Sequence, residues 1–330
     1  MVYFHLRIKD YFMIITKEIS LEEINTLRQI LEEFVQKLDE TQKPNNNFID
    51  RLITQWSEGN IEILGKYIDD ELVGIVVLEL AANKIGIIYL STRGPIHDVS
   101  QSKDLERNLF DAGLKHLRKR ERWVGIRNSE FLSQDLLLYT QEKDFKKYNM
   151  IDMVADRRLI ESIAMPEIPS GYSLESYSNK MNEDVANLIY ECFKNSVSYY
   201  ADPDLLSTPE RCFILLDDTI KGHYGDFKNG RFSFALKKGD EIIGVTLCTL
   251  LNDTSALTAG MCLSKRYRGR GLGKLQFIYS LKHLLKMAPE VSEIHLSVYD
   301  TNPAKYLYES VGFREISRNH MYTWMQNNDG

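Results

Sequence analysis

Tyr267-Arg268-Gly269-Arg270-Gly271-Leu272-Gly273-Lys274 is the stretch whose reading decides the fold. It follows an apolar, strand-like run, Ala256 to Leu263, and opens a helical pattern from about Leu272 to Met287. A glycine-rich turn between strand and helix lets several backbone N–H groups converge, and the bare amides and dipole of a helix start favour an anion there. Glycine serves where a Cβ would block close approach or where φ must be positive. The segment therefore reads as a site for a phosphorylated ligand. Two common phosphate loops fail on defined residues. A P-loop needs glycine where Arg268 stands and Ser or Thr where Leu275 stands, and a dinucleotide fingerprint needs glycine where Lys274 stands.

A third pattern fits. Arg268-x-x-Gly271-x-Gly273 resembles the Arg/Gln-x-x-Gly-x-Gly/Ala motif of the GNAT acyl-CoA-dependent N-acyltransferases. Downstream, the block from Asn302-Pro303-Ala304 through Leu307-Tyr308 to Gly312-Phe313 resembles the last helix of that family and its Gly-Phe exit. The resemblance covers roughly residues 171–327. It implies an α/β fold with a mixed, mostly antiparallel sheet flanked by helices. It also implies acetyl-CoA as co-substrate, a primary amine of a small molecule or peptide as acceptor, and direct transfer in a ternary complex without a covalent enzyme intermediate or a metal.

Composition sets the frame. At 330 residues, two domains are expected. A hydrophobic content of 43% and a charged content of 27% describe an ordinary globular chain. The net charge of −6 argues against non-specific nucleic-acid binding, which needs a basic footprint. No apolar run is long enough to span a membrane, and Met1 to Ile15 lacks the apolar core of a signal peptide. Cys192, Cys212, Cys248 and Cys262 form no C-x-x-C pair, which suits reduced thiols in the cytoplasm. Residues 1–12 read as an extension before a first strand at Met13 to Thr16.

The chain reads as one fold written twice. Asp70-Glu71-Leu72-Val73-Gly74-Ile75 aligns without gaps on Asp240-Glu241-Ile242-Ile243-Gly244-Val245, at an offset of 170. Leu138-Tyr139 before Phe145 echoes Leu307-Tyr308 before Phe313. The expected division is a degenerate GNAT-like domain over 1–160, a linker over 161–170 carrying Pro166 and Pro169, and an acetyltransferase domain over 171–330. The strand expected at Met150–Leu159 closes the first half, and a strand near His320–Trp324 closes the second. The loop Ser91 to Asp98 keeps one glycine and carries Pro95, which removes an N–H, so the first copy is not expected to bind CoA in the usual way. Its role is expected to be structural, covering one side of the second half. Arg93-Gly94-Pro95 faintly resembles a loop of the Fem peptidyl-transferases.

Acyl transfer needs the donor held, its carbonyl polarised, the amine neutral and the thiolate protonated. Backbone amides of Arg268, Gly269, Arg270, Gly271, Leu272, Gly273 and Lys274 are expected to cradle the diphosphate. By the resemblance, the main chain of Met261, Cys262 and Leu263 pairs with the pantetheine, and Tyr308 is the acid for the departing sulfur. Asn302 either bonds the pantetheine amide or caps the helix opened by Pro303. No general base is legible: Glu241, His295, His223 and Asp226 are weak candidates, and a water chain is equally compatible. Tyr199, Tyr200, Asp202, Asp204 and Glu210 fall where the family walls its acceptor. Two rival readings are a Fem-type aminoacyl or peptidyl transferase using aminoacyl-tRNA, and a non-catalytic CoA-binding module.

Overall fold

The computed structural model describes residues 14–37, 48–68, 70–79, 84–90, 99–119, 123–126 and 132–325. Residues 1–12 and the loop from Ser91 to Asp98 lie outside the described residues. Two compact units emerge: residues up to Lys147 together with those from Tyr322, and residues Tyr148–Met321.

In the first unit, Ser20 and Glu23 open the helical region. The Glu23 carboxylate accepts from the Ser20 N–H at 3.0 Å and from its hydroxyl at 3.1 Å, the acidic half of a capping box. The elements are β1 (Ile14–Glu18), α1 (Ile24–Lys37), α2 (Phe48–Ser57), β2 (Ile61–Ile68), β3 (Glu71–Glu79), β4 (Lys84–Leu90), α3 (Val99–Arg118), β5 (Trp123–Ile126) and α4 (Gln134–Glu142). The strands follow in order and are antiparallel, except that β4 and β5 run parallel.

The second unit contains β6 (Lys146–Asp156), α5 (Arg157–Ser162), β7 (Tyr172–Ser176), α6 (Asn182–Phe193), α7 (Val197–Ala201), α8 (Pro203–Leu206), α9 (Pro209–Ile220), β8 (Phe234–Lys238), β9 (Glu241–Leu250), β10 (Ser255–Leu263), α10 (Leu272–Met287), β11 (Glu293–Tyr299), α11 (Ala304–Glu309) and β12 (Arg314–Met325). Its sheet order is β7-β8-β9-β10-β11-β6-β12, with β10 and β11 parallel.

The closing strands do not pair as expected from the sequence. β6 runs antiparallel to β11, from Asp156 opposite Glu293 to Met150 opposite Tyr299. The end of β12, Tyr322–Met325, pairs with β5 in the first unit. Thus the second unit takes a strand that precedes the proline-containing stretch, and the first takes the end of the chain. The reason is packing: Ile151, Met153 and Ala155 are buried in one core with Phe277, Leu281, Ile294 and Leu296. Arg157 then ties the segment to α10, because its guanidinium donates to the carbonyls of Leu285, Pro289 and Val291 at 3.0, 2.8 and 3.0 Å. A cation there also suits the negative end of that helix.

The duplication survives in backbone detail. In β3 the extra, unpaired residue is Val73, between Leu72 opposite Tyr67 and Gly74 opposite Lys66. In β9 it is Ile243, between Ile242 opposite Lys237 and Gly244 opposite Leu236. These β-bulges fall at the same place in the aligned hairpins. After α4, Asp144 takes φ 66° and Phe145 N–H bonds the Thr140 carbonyl at 3.1 Å. After α11, Gly312 takes φ 98° and Phe313 N–H bonds the Tyr308 carbonyl at 3.1 Å. By this geometry the counterpart of Tyr308 is Thr140, not Tyr139, so the sequence echo is one residue out of step.

Candidate active site

β10 and β11 pair over only three residues, Ser255–Leu257 against Glu293–His295, and part beyond them. A bulge at Ala259 starts the divergence, since Thr258 opposes Cys248 and Gly260 opposes Leu247. The gap holds a cavity of about 770 Å³, lined along β10 from Thr258 to Leu263 and along β11 from Leu296 to Tyr299.

Main-chain polarity in the gap follows from register. Ser264 N–H bonds Ile243 O at 2.8 Å, and alternate residues of an antiparallel ladder turn both polar groups to the same neighbour. Cys262 therefore faces β9, and its carbonyl also accepts from Gln276 Nε2 at 2.9 Å. Met261 and Leu263 turn their main chains to the gap. The Leu263 carbonyl is held by Arg268 Nε at 3.0 Å, which leaves the Leu263 N–H and both Met261 groups toward the cavity.

Gly269 and Gly271 have φ of 75° and 78°, and a Cβ on either would meet no atom within 4 Å. Backbone conformation, rather than crowding, requires glycine there. Gly271 is the cap of α10, and Leu275 N–H is the first to bond back, to Gly271 O at 3.0 Å. The amides of Leu272, Gly273 and Lys274 are the bare donors of a helix start. The basic side chains are engaged differently. Arg268 turns inward to the carbonyls of Leu263 and Cys192, Arg270 lies 5.8 Å from the Tyr267 ring centre, and Lys274 Nζ reaches Ser310 O at 3.3 Å.

Tyr308 is buried against Phe277 and Phe313, with ring centres 5.1 and 6.2 Å away, and it lines the cavity. Burial first, and then the Cys262 sulfur, push its phenol up to about 12. It is thus a proton donor across the neutral range. Asn302 also lines the cavity, and its Oδ1 accepts from Ala304 N–H at 3.0 Å, so the capping role is realised. Beside it, Cys192 and Cys262 share a hydrogen bond. That bond, followed by Arg268 and Lys265, lowers the Cys192 thiol, while Cys192 and burial raise the Cys262 thiol.

The weak base candidates find other partners. Glu241 pairs with Arg266 and accepts from Tyr267 Oη at 3.0 Å. His223 pairs with Asp218 at 3.2 Å, Asp226 pairs with Lys228, and His295 meets Glu293 at 2.9 Å. α7 and α8, too short to announce themselves by periodicity, follow α6, and Val197 and Ser198 line the cavity. Tyr199 and Tyr200 pack edge to face at 5.2 Å, and the carboxylate of Asp202 lies close enough to raise the Tyr299 phenol, after burial itself. Glu210 sits in the first turn of α9, bonded to its capping Thr208. The side chain of Asp204 lies outside the described residues. Strand-borne lining residues that sequence reading missed, among them Ser297 on β11 and Met150 on β6, carry no motif, and pairing between β11 and β6 brings Met150 to the cavity.

Residues 184–313 match the model of the acetyltransferase (GNAT) family. Over 100 residues the chain is 30% identical to the ribosomal protein bS18-alanine N-acetyltransferase of Haemophilus influenzae. That match covers 28% of this chain and 64% of the relative, so the chain spans a little under two thirds of that protein's length. Among solved structures, a tandem GNAT protein from the clavulanic acid biosynthesis pathway superposes with a TM-score of 0.53 at 14% identity, over 96% of this chain and 100% of that one. A GCN5-related N-acetyltransferase from Sphaerobacter thermophilus gives 0.53 at 16% identity, over 95% and 96%. At these identities the likeness is one of fold: two tandem GNAT-like α/β units.

Proposed function

With residues 184–313 a GNAT acetyltransferase-family domain, we propose that the chain is an acyl-CoA-dependent N-acyltransferase. It moves an acetyl group from acetyl-CoA to a primary amine of a small molecule or peptide, by direct transfer in a ternary complex. The observation that carries the reading is the gap between β10 and β11, which runs from the glycine nest at Gly269–Gly273 past Met261 and Leu263 to Tyr308. A diphosphate, an amide-bearing arm and a thioester call for converging N–H groups, an open strand edge and a proton donor.

Acetyl-CoA supplies the acetyl thioester. The amides from Gly269 to Lys274 bind its diphosphate, and the main chains of Met261 and Leu263 orient the arm and polarise the carbonyl. Tyr308 holds a proton at Oη and gives it to sulfur as the C–N bond forms and the C–S bond breaks. The proton lost by the amine returns to the phenol through solvent, so the balance closes without a covalent enzyme species. In the first copy Thr140 stands where Tyr308 would, and its hydroxyl is spent on the Leu137 carbonyl at 2.8 Å. This supports a single active copy. The four buried, free thiols fit a reducing compartment and a cytoplasmic site of action.

The test is calorimetry with acetyl-CoA, followed by thiol release on a panel of primary amines. Stoichiometric binding with amine-dependent release is expected. Failure to bind acetyl-CoA, alongside affinity for aminoacyl-tRNA, would overturn the reading; binding without release on any amine would leave a CoA-binding module in its place.

A further inference from the structure

The peptide that joins Cys262 to Leu263 is trans, so its carbonyl and its N–H point opposite ways. The carbonyl turns to β9, where Cys262 stands opposite Val245. The N–H, carried by Leu263, turns to the cavity that both residues line. A second donor reaches the same carbonyl from α10. Gln276 Nε2 donates to Cys262 O at 2.9 Å and, more loosely, to Val245 O at 3.4 Å. Hydrogen bonds in series polarise one another, so a donor on the oxygen strengthens the N–H at the other end of the same peptide.

The fold carries a burden to keep this amide. Gln276 is fully buried, and its Oε1 has no hydrogen-bond partner among the described residues. A buried acceptor without a donor is a standing cost. β9 also makes room for it, since a Cβ on Gly244 would collide with that oxygen. An apolar side chain of the same length would fill the space without an orphaned acceptor. Gln276 also joins two parts of the candidate site. It lies one turn into α10, four residues after Leu272, the first of the bare amides proposed for the diphosphate. Arg268, from the loop before that helix, holds the next carbonyl, Leu263 O, at 3.0 Å. Consecutive carbonyls of β10 are thus fastened from the side of the nest, one by the loop and one by the helix.

We propose that Gln276 is a positioning residue of the donor site. It fixes and polarises the Leu263 N–H that meets the arm of the bound thioester, acting through the peptide and not as part of the cavity wall. The proposal rests on the acyltransferase reading above. It divides donor binding into a nest that works without Gln276 and a strand edge that needs it.

The test compares CoA, which carries the arm, with ADP, which carries a diphosphate without it, on the full chain and on Gln276→Met. Methionine keeps the length of the side chain and removes the donor and the orphaned oxygen together. CoA and acetyl-CoA should bind about three- to tenfold more weakly, the range of one hydrogen bond. ADP should bind as before, and Tm should stay level or rise. Should Gln276→Met fail to fold, NMR on the unmodified protein still decides. The side-chain amide protons of Gln276 should shift when CoA binds and stay in place when ADP binds. Equal weakening of CoA and ADP with a lower Tm would make Gln276 a structural residue and overturn the proposal. So would unchanged CoA affinity in the variant, or Gln276 amide protons indifferent to CoA. Those results leave the acetyl-CoA reading standing. If the unmodified protein bound neither CoA nor ADP, that reading would fall, and this one with it.

Discussion

Gly271 and Gly273, two positions apart, make opposite predictions. Gly271 caps α10 with φ 78°, and a Cβ there meets no protein atom within 4 Å. Gly271→Ala therefore causes no clash; its cost is the left-handed backbone, about 1–2 kcal/mol. For a unit of this size that lowers Tm by about 2–4 °C per kcal/mol. That Cβ would stand in open space beside the bare amides of Leu272–Lys274, the place proposed for the diphosphate. Acetyl-CoA affinity should therefore fall as well, by about tenfold or greater, or ~1.4 kcal/mol. Gly273 has no positive φ, and its Cβ would meet Leu307 Cδ1 at 3.4 Å and Leu263 Cδ2 and Met261 Cε at 3.7 Å, ordinary contacts. Gly273→Ala should stabilise the helix by about 0.5–1 kcal/mol and leave affinity as it is. Thermal unfolding and calorimetry on both variants check the pair. Equal loss of acetyl-CoA affinity in the two, or full affinity in Gly271→Ala, would refute the placement of the diphosphate at this nest.

Four further outcomes concern the second unit. Tyr308→Phe keeps the packing against Phe277 and Phe313, so acetyl-CoA affinity should hold while kcat falls by about 100-fold; a kcat within error of the parent would remove the acid role. Because burial pushes this phenol up to about 12, its acid form is complete below that value and is lost only as pH rises through it. A pH–rate profile should accordingly show no alkaline fall from this group before about pH 10. Arg157→Met strips three carbonyls at the end of α10 of a charged donor, and should cost about 2–3 kcal/mol in urea unfolding; a change under ~0.5 kcal/mol would show that water replaces it. A chain of residues 171–330 lacks β6, so Ile294 and Leu296 lose Ile151, Met153 and Ala155, and it should aggregate where residues 148–330 remain soluble in size-exclusion chromatography.

Local patterns made most elements legible. The strand at Ile61–Ile68, the proline opening α9 and the glycine before α10 are written in neighbouring residues, and those elements form there. α7 and α8 span five and four residues, about one turn each, too few for a 3.6-residue period to repeat. Tyr139 misled for a related reason. A Leu-Tyr pair matches by letter, but the equivalent position is set by which carbonyl the residue after the helix reaches, and that carbonyl belongs to Thr140.

The site was legible where one backbone segment builds it and illegible where two strands must meet. Gly269, Gly271 and the bare amides after them owe their geometry to their own φ angles and to the helix start, so a seven-residue window contains its whole cause. Cys262 shows the limit even inside such a window: its neighbours Met261 and Leu263 face the gap while it faces β9, a parity fixed by the bulge at Ala259 and the register with β9. Met150 lies further beyond reach. Ile151 and Met153 after it announce a strand with one buried face, but alternation says nothing about which strand will lie alongside. Expected to close the first half, this strand instead completes the sheet of the second and brings Met150 to the cavity. The strand that precedes the proline-containing stretch thus gives the second unit the buried side chains of Ile151, Met153 and Ala155 and, through Arg157, a cation at the end of α10, and a chain cut at the expected linker loses both.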